Sequence, residues 1–450
     1  PESFIASKAV IAIKDLYNTD IEASAVQVQV TRKEFEGDFT LVVFPLLRIS
    51  HSTPDNTGKA IGDWFKANVP EISAFNVVKG FLNICLSPLY WNELFASIAS
   101  DPDFGYLPST GKNIMVEFSS PNTNKPLHLG HMRNDSLGQS VSELLKSQGA
   151  EVKKVNLINN RGVHICKSML AYQKFGGGET PESSGIKGDH LVGNYYVRFA
   201  QWEKEILDKD TASFMAQGMS EDDAKAKAKA VNAPDLEAQD MLRAWEQGDP
   251  EVMDLWRKMN QWTLDGVAQT YENTGISFDK YYYESDTYKL GKDKVLEGLE
   301  KGVFQKQEDG AIYIDNSDIG LDKKILLRKD GTSIYITQDI GTAINRHEDW
   351  PFDSLVYVVA SEQRYHFKVL FHVLDKLGYD WAQDLHHLSY GMVFLPEGKM
   401  KSREGTVVDA DDLIKSLTEM AKAEIVEKGR DSELEDVDAT AHSIALGALN

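Results

Sequence analysis

The chain has 450 residues, 42% of them apolar and 26% charged, enough to bury cores in two or three units. It has no apolar run long enough to span a bilayer, no secretory leader pattern and only two cysteines, Cys85 and Cys166, so a cytoplasmic setting without disulfides is expected. A formal net charge of −21 argues against unspecific polyanion binding.

Residues 1–108 read as a small α+β unit. Alternation over 25–30 and the run 39–44 predict strands, and 55–68 and 88–100 predict helices. Asp101-Pro102-Asp103 and Pro108-Ser109-Thr110-Gly111 punctuate the boundary. From 109 to 400, apolar strands alternate with helices, the pattern of a Rossmann-like parallel sheet, with strands expected over 114–118, 152–158, 354–360 and 388–394. An α-helical insertion occupies about 170–275. Its glycine run 176–178 lacks the strand–helix setting of a phosphate cradle and reads as a loop. Lys225, Lys227 and Lys229 read as a solvated helix face. Basic surface is suggested by Lys153, Lys154, Arg161 and Lys167, and by Lys323, Lys324, Arg328 and Lys329, although solvated faces explain both clusters equally well. Residues 401–450 begin a C-terminal helical region that stops inside an apolar pattern (Ile444, Leu446, Leu449) after the N-cap candidate Asp438. A further helical domain is therefore expected beyond this point; the alternative is a short helix docked back onto the body.

Two short segments carry the chemistry. His128-Leu129-Gly130-His131 follows a buried strand and a polar turn (119–126) and opens a helix over 129–148. Both imidazoles then sit in the first turn, where backbone N–H groups and the helix dipole favour anions, and Gly130 lets a base or phosphate approach the backbone. Either histidine alone reads equally as a cap; the pair flanking a glycine does not. Far downstream stands Lys399-Met400-Lys401-Ser402. Tyr335 and Asp339, four apart, share one helical face, a core tyrosine beside a surface charge being the plain alternative. Asn122 can cap a turn, and Glu284 follows three tyrosines in what reads as an edge strand. His366 and His372 are six apart, His386-His387 read as a loop, and none forms a zinc set with Cys85 or Cys166, which read as core thiols; no protein metal site is expected.

In this order the segments resemble arginyl-tRNA synthetase, a class I aminoacyl-tRNA synthetase, over 112–449, most distinctively in the stretch from Ser119 through Lys125, His128 and His131 to Arg133. The resemblance implies ligation of L-arginine to tRNA(Arg) through an arginyl-adenylate, with ATP and its Mg²⁺ as substrate. It implies that His128 and His131 hydrogen-bond the ATP phosphates, with Gly130, Lys399, Met400, Lys401 and Ser402 completing the nucleotide site. The second segment departs from the class pattern, for Ser402 stands where a lysine is usual. Lys125 is then the expected replacement cation, and which of Lys125, Lys399 and Lys401 matters most stays open. For arginine the resemblance implies Asn122 and Gln363 at the α-amino and carboxyl end, and Tyr335, Asp339 and Glu284 around the guanidinium. The N-terminal unit resembles the family's domain that touches the outer corner of tRNA. A monomer is expected, and the resemblance implies that tRNA is needed even for the activation step, so little activation is expected without an anticodon-binding part. Two other readings remain: a small-molecule nucleotidyltransferase with the same histidine signature, and a non-catalytic tRNA-binding derivative.

Overall fold

In the computed structural model, which describes residues 1–331, 333–394 and 408–449, the chain divides between Gly105 and Tyr106, close to the boundary expected at 108. The N-terminal unit contains α1 (Glu2–Tyr17), β1 (Val28–Val30), β2 (Phe39–Val42), α2 (Pro54–Asn68), β3 (Ile72–Val78), β4 (Phe81–Leu86) and α3 (Pro88–Ser100). Its antiparallel sheet runs β1-β2-β4-β3. Ile5, Ala9 and Ile13 recur every four residues along α1, and with Ile61 and Phe65 of α2 they bury Leu41, Leu82 and Ile84 of the sheet. Proline in the first turn and a capping hydroxyl, Thr53 for α2 and Ser87 for α3, start both expected helices where they begin. The strand expected over 25–30 exists only from Val28, because Ala23–Ala25 closes a 3₁₀ turn.

The second unit is built on five parallel strands: β5 (Asn113–Glu117), β6 (Glu151–Ile158), β7 (Lys280–Tyr283), β11 (Ser354–Ala360) and β12 (Leu385–Tyr390), in the order β12-β11-β5-β6-β7. Alternation along each strand fills two cores. Met115, Val155, Leu355 and Tyr357 face one side, where α12 (Tyr335–Asp349) and α13 (Arg364–Lys376) cover them. Val116, Val358 and partly Val152 face the other, under α4 (Leu129–Ser147). A three-stranded antiparallel sheet, β8 (Gln305–Lys306), β9 (Ile312–Ile314) and β10 (Lys324–Leu327), extends the first core and was not anticipated. β12 starts three residues before the expected 388, so His386 and His387 lie in a strand, not a loop. As an edge strand it buries one row only: Leu385 is buried, and His387 pairs through Nε2 with Val359 O at 2.9 Å.

The helical insertion comprises α5 (Val163–Phe175), α6 (Gly188–Ala216), α7 (Glu221–Ala230), α8 (Ala233–Gln247) and α9 (Pro250–Thr274), and it has its own core of Met169, Leu191, Phe199, Trp202, Met241 and Met259. The first expected basic surface is mostly internal. Lys167 is buried between Glu203 (3.1 Å) and Asp235 (2.7 Å), and Arg161 pairs with Glu246 while stacking 3.9 Å above Tyr288. Cys166 is buried, its thiol pushed up to about 12 by burial, whereas Cys85 is only half-buried. After α14 (Ala410–Glu427), α15 (Val437–Leu449) packs Leu446 and Leu449 against the core under α4 and leaves Ile444 exposed. Its cap is Asp436, whose Oδ1 accepts from Ala439 N at 2.9 Å; Asp438 pairs with Lys422 instead. No helix among the described residues is long and apolar enough to cross a membrane.

α12 meets α11 (Leu290–Glu300) at a glycine pair: a Cβ on Gly291 would lie 1.5 Å from Thr337 O, and one on Gly341 2.3 Å from Gly291 N. Backbone cannot yield as a side chain can, so Gly291→Ala must push the helices apart. A loss of about 3 kcal/mol is expected, read as a shift in the urea midpoint without a change in slope.

Candidate functional site

In the parallel sheet the connections leave β5 in opposite directions on its two sides, so the C-terminal ends of β5 and β11 part and open a crevice. A cleft of about 830 Å³ lies there, lined by Ser119 and Ser120 after β5, by Val358 to Ala360 at the end of β11, and by the start of α4. Ser119 (φ 72°) and Ser120 (φ 49°) are consecutive left-handed residues without glycine's freedom, a strain of order 1–3 kcal/mol each. Three partners hold them: Ser119 N donates to Asn134 Oδ1 (2.5 Å), Ser119 Oγ meets Tyr271 OH (2.6 Å), and Ser120 N donates to Asn156 Oδ1 (3.0 Å). Asn134 also donates to Val358 O at 2.7 Å, tying α4 to β11 across the crevice.

His128 is the N-cap of α4 and His131 its third residue. Gly130 N donates to His128 Nδ1 at 3.0 Å, and His128 N donates to His131 Nδ1 at 3.1 Å. An imidazole nitrogen that accepts a backbone proton carries none, so both rings hold theirs on Nε2. The rings lie 4.0 Å apart. Burial, with the Lys125 charge, lowers His128 to about 4. His131 is driven well below its ordinary value by burial, then by His128 and Lys125. The pair therefore offers two neutral N–H donors rather than two imidazolium charges.

The expected arginine-binding residues divide between two adjoining clefts. Asp339 and Gln363 line the 830 Å³ cleft together with Lys125, His128, Gly130 and His131. Glu284 lines a neighbouring cleft of about 880 Å³, while Asn122 and Tyr335 line both. Tyr335 is 76% exposed, so the core alternative for it fails. Asp339 sits one turn further along α12 and meets His366 Nε2 at 2.6 Å, a partner the spacing of the histidines did not suggest. Glu284 opens the short helix α10 (Glu284–Thr287), directly after β7 at the sheet's edge. Burial, reinforced by the Asp339 charge and opposed by Arg161, raises it to about 7. Glu117, at the end of β5, takes an ion pair from Arg346 of α12, which is 1% exposed and lies 5.0 Å from the Tyr282 ring centroid. That buried pair ties the helix of Asp339 to the central strand. Lys399, Met400, Lys401 and Ser402 lie outside the described residues.

The geometry is that of a switch-point cleft with an adjoining annex that holds Glu284. Residues 105–450 match the family model described as tRNA synthetases class I (R), catalytic domain. The chain is 52% identical over 453 residues to the arginine–tRNA ligase of Phocaeicola vulgatus, covering 100% of this chain and 75% of that protein. It is also 52% identical to that of Flavobacterium psychrophilum, covering 97% and 74%. Arginyl-tRNA synthetase of Thermus thermophilus superposes with a TM-score of 0.62 at 22% identity over 99% of this chain and 74% of that one. The enzyme from Plasmodium falciparum gives 0.56 at 17%, over 99% and 72%. These two support the fold. The chain belongs to the arginine–tRNA ligase family of class I synthetases.

Because folding holds His128 neutral, the stability it lends is complete above the unfolded value near 6.5 and is lost as pH falls toward 4. His128→Asn keeps a capping side chain but does not titrate. Its unfolding free energy is expected to fall less between pH 7 and 4.5 than that of the wild type, by on the order of 2–3 kcal/mol in paired urea titrations.

Proposed function

We propose that the cleft joins L-arginine to tRNA(Arg) in two steps and that the residues above divide the work as follows. The arginine carboxylate attacks the α-phosphorus of ATP, which arrives with Mg²⁺, and pyrophosphate leaves. The terminal ribose hydroxyl of tRNA then takes the arginyl group from the adenylate. His128 and His131 donate Nε2–H to phosphate oxygens as negative charge develops, each donor contributing about 3 kcal/mol of barrier lowering. Lys125 supplies compensating positive charge beside them, with Lys399 and Lys401 as its counterparts on the second segment and with Met400 and Ser402 beside them. Asp339 and Glu284 receive the guanidinium from two sides, with Tyr335 between the clefts and Asn122 and Gln363 at the amino-acid end. The carrying observation is that the paired neutral imidazoles and Asp339 line one cleft and Glu284 the next, with Asn122 and Tyr335 lining both. Unit 1–105 touches tRNA, and the enzyme works as a monomer in the cytoplasm.

Lysine is rejected without editing, because an ammonium leaves buried acceptors unpaired. Charging of tRNA(Arg) by the full-length protein with labelled arginine or lysine tests this. Arginine alone should be incorporated, and His131→Ala should lower the rate about 10²–10³-fold. Incorporation of lysine at a comparable rate, or none of either, rejects the assignment.

Glu284 adds a pH signature. Without ligand it is protonated below about 7, whereas a bound guanidinium requires the carboxylate. Arginine affinity is therefore expected to rise between pH 6 and 8, with proton release on binding at the lower pH. Calorimetry in buffers of different ionisation enthalpy reads both, and Glu284→Gln should abolish the pH dependence while weakening binding.

A further inference from the structure

The start of α4 is half of a short backbone ladder. Leu129 N donates to Val408 O at 3.0 Å, Ala410 N donates to Leu127 O at 3.1 Å, and His128 pairs antiparallel with Asp409. The other half, 408–410, is fixed by a charge cluster that the helical insertion builds. Lys187, just ahead of α6, places Nζ 2.6 Å from Asp411 Oδ2, 3.1 Å from Asp189 Oδ2 and 2.6 Å from Thr270 Oγ1. Thr270 of α9 donates to Asp411 Oδ1 at 3.0 Å. His190, in the first turn of α6, meets Asp411 Oδ2 at 3.0 Å and lies 3.7 Å from Asp409 Oδ2. Asp409 Oδ1 in turn accepts from Asp411 N and Asp412 N at 2.9 and 3.1 Å, capping α14.

This anchor has little room to slide. A Cβ on Gly188 would lie 2.1 Å from Trp262 O, and one on Gly266 2.3 Å from Asp189 Oδ1, so α6 and α9 meet at backbone distance. Asp189 is wholly buried. Asp189, His190 and Asp411 have metal-ligand proximity, but the Lys187 ammonium bonds both carboxylates and supplies the positive charge. Burial pulls Asp411 up, yet its bonds from His190, Lys187 and Thr270 outweigh that and hold it well below the usual carboxylate range.

We propose that Asp411 is a positioning residue for the nucleotide end of the cleft: clasped by Lys187, His190 and Thr270, it fixes the ladder that aims His128 and His131. The proposal rests on the reading of those imidazoles as phosphate donors, and it makes nucleotide binding depend on the insertion, away from the arginine annex. The test compares Asp411→Asn, Lys187→Met and the double variant with the wild type. Calorimetry with a non-hydrolysable ATP analogue and, separately, with arginine is combined with hydrogen exchange of the segment 127–131. Each single variant is expected to weaken the nucleotide about tenfold, change arginine affinity less than twofold, and speed exchange at 127–131. The double variant should be no worse than the poorer single one, because both break the same clasp.

Unchanged nucleotide affinity with unchanged exchange in a folded variant overturns the proposal, and so does equal weakening of both ligands. Asp411→Glu, which keeps the charge, should recover part of the nucleotide affinity if Asp411→Asn proves unstable; no recovery counts against the clasp. His128→Asn separates the two ideas. If it binds the analogue as tightly as the wild type, the phosphate reading fails, whereas exchange at 127–131 in Asp411→Asn still decides whether the clasp holds the ladder.

Discussion

The two bonds in which backbone N–H groups donate to His128 Nδ1 and His131 Nδ1 fix the protonation of both imidazoles at the head of the cleft. A protonated ring could not accept either bond, so charging an imidazole would undo the cap as well as bury a cation beside Lys125. Each ring instead keeps one donor on Nε2, whose direction is set by the helix start. Preorganised donors of this kind cost nothing to reorient as charge develops, which is where electrostatic catalysis gains most over water. A fixed positive charge there would also hold ground-state ATP more tightly, and uniform binding of substrate and transition state does not raise the rate of the chemical step. In the proposed reaction, neutral donors with the cation supplied by Lys125 separate the two tasks.

In the annex, burial likewise favours the uncharged form of Glu284. Glu284 is buried enough that, without a cation, it sits near 7, and the negative charge of Asp339 contributes to that rise. A buried carboxyl raised in this way is stabilised in its charged form by an incoming cation, which is the change the proposed guanidinium would bring. His366 holds one Asp339 oxygen at 2.6 Å, which restricts the carboxylate's rotation and leaves the other oxygen for a ligand. Arg161, the protein's own guanidinium in the annex, is paired with Glu246 and stacked on Tyr288, and its charge only partly offsets the rise at Glu284.

What was legible in the sequence follows from range. β5, the helix from Leu129 and the strand Ser354–Ala360 are local patterns of apolar runs and caps, and they appear where expected. The His128–Gly130–His131 start was readable because its bonds close within three residues. Arg161 and Lys167 looked like surface because a buried cation and a solvated one are written with the same letter; their acidic partners stand 85 and 36 residues away. Ser119 and Ser120 gave no sign of left-handed backbone, which glycine or asparagine would have announced. The edge strand β12 was misplaced because histidines at its start masked a single buried row. His366 was weighed only as a ligand for metal, since nothing local ties it to a carboxylate on another helix.

The same argument bears on why an insertion sits between β6 and β7. A doubly wound sheet fixes strand ends well, but the turn between β5 and α4 must hold two strained serines and an imidazole cap at one place. The sheet and its first crossover reach that turn through Asn156 of β6 and Asn134 of α4. The insertion adds Tyr271 on Ser119 from α9, and from the same helix Thr270 on Asp411, one residue earlier in sequence. Successive residues of one helix thus brace both the strained turn and the ladder beside it. Strain of a few kcal/mol persists only where surroundings over-determine it, and here two layers of the fold do so. The helical insertion is therefore part of the framework that holds the His128–His131 turn, not a separate attachment hung from the sheet.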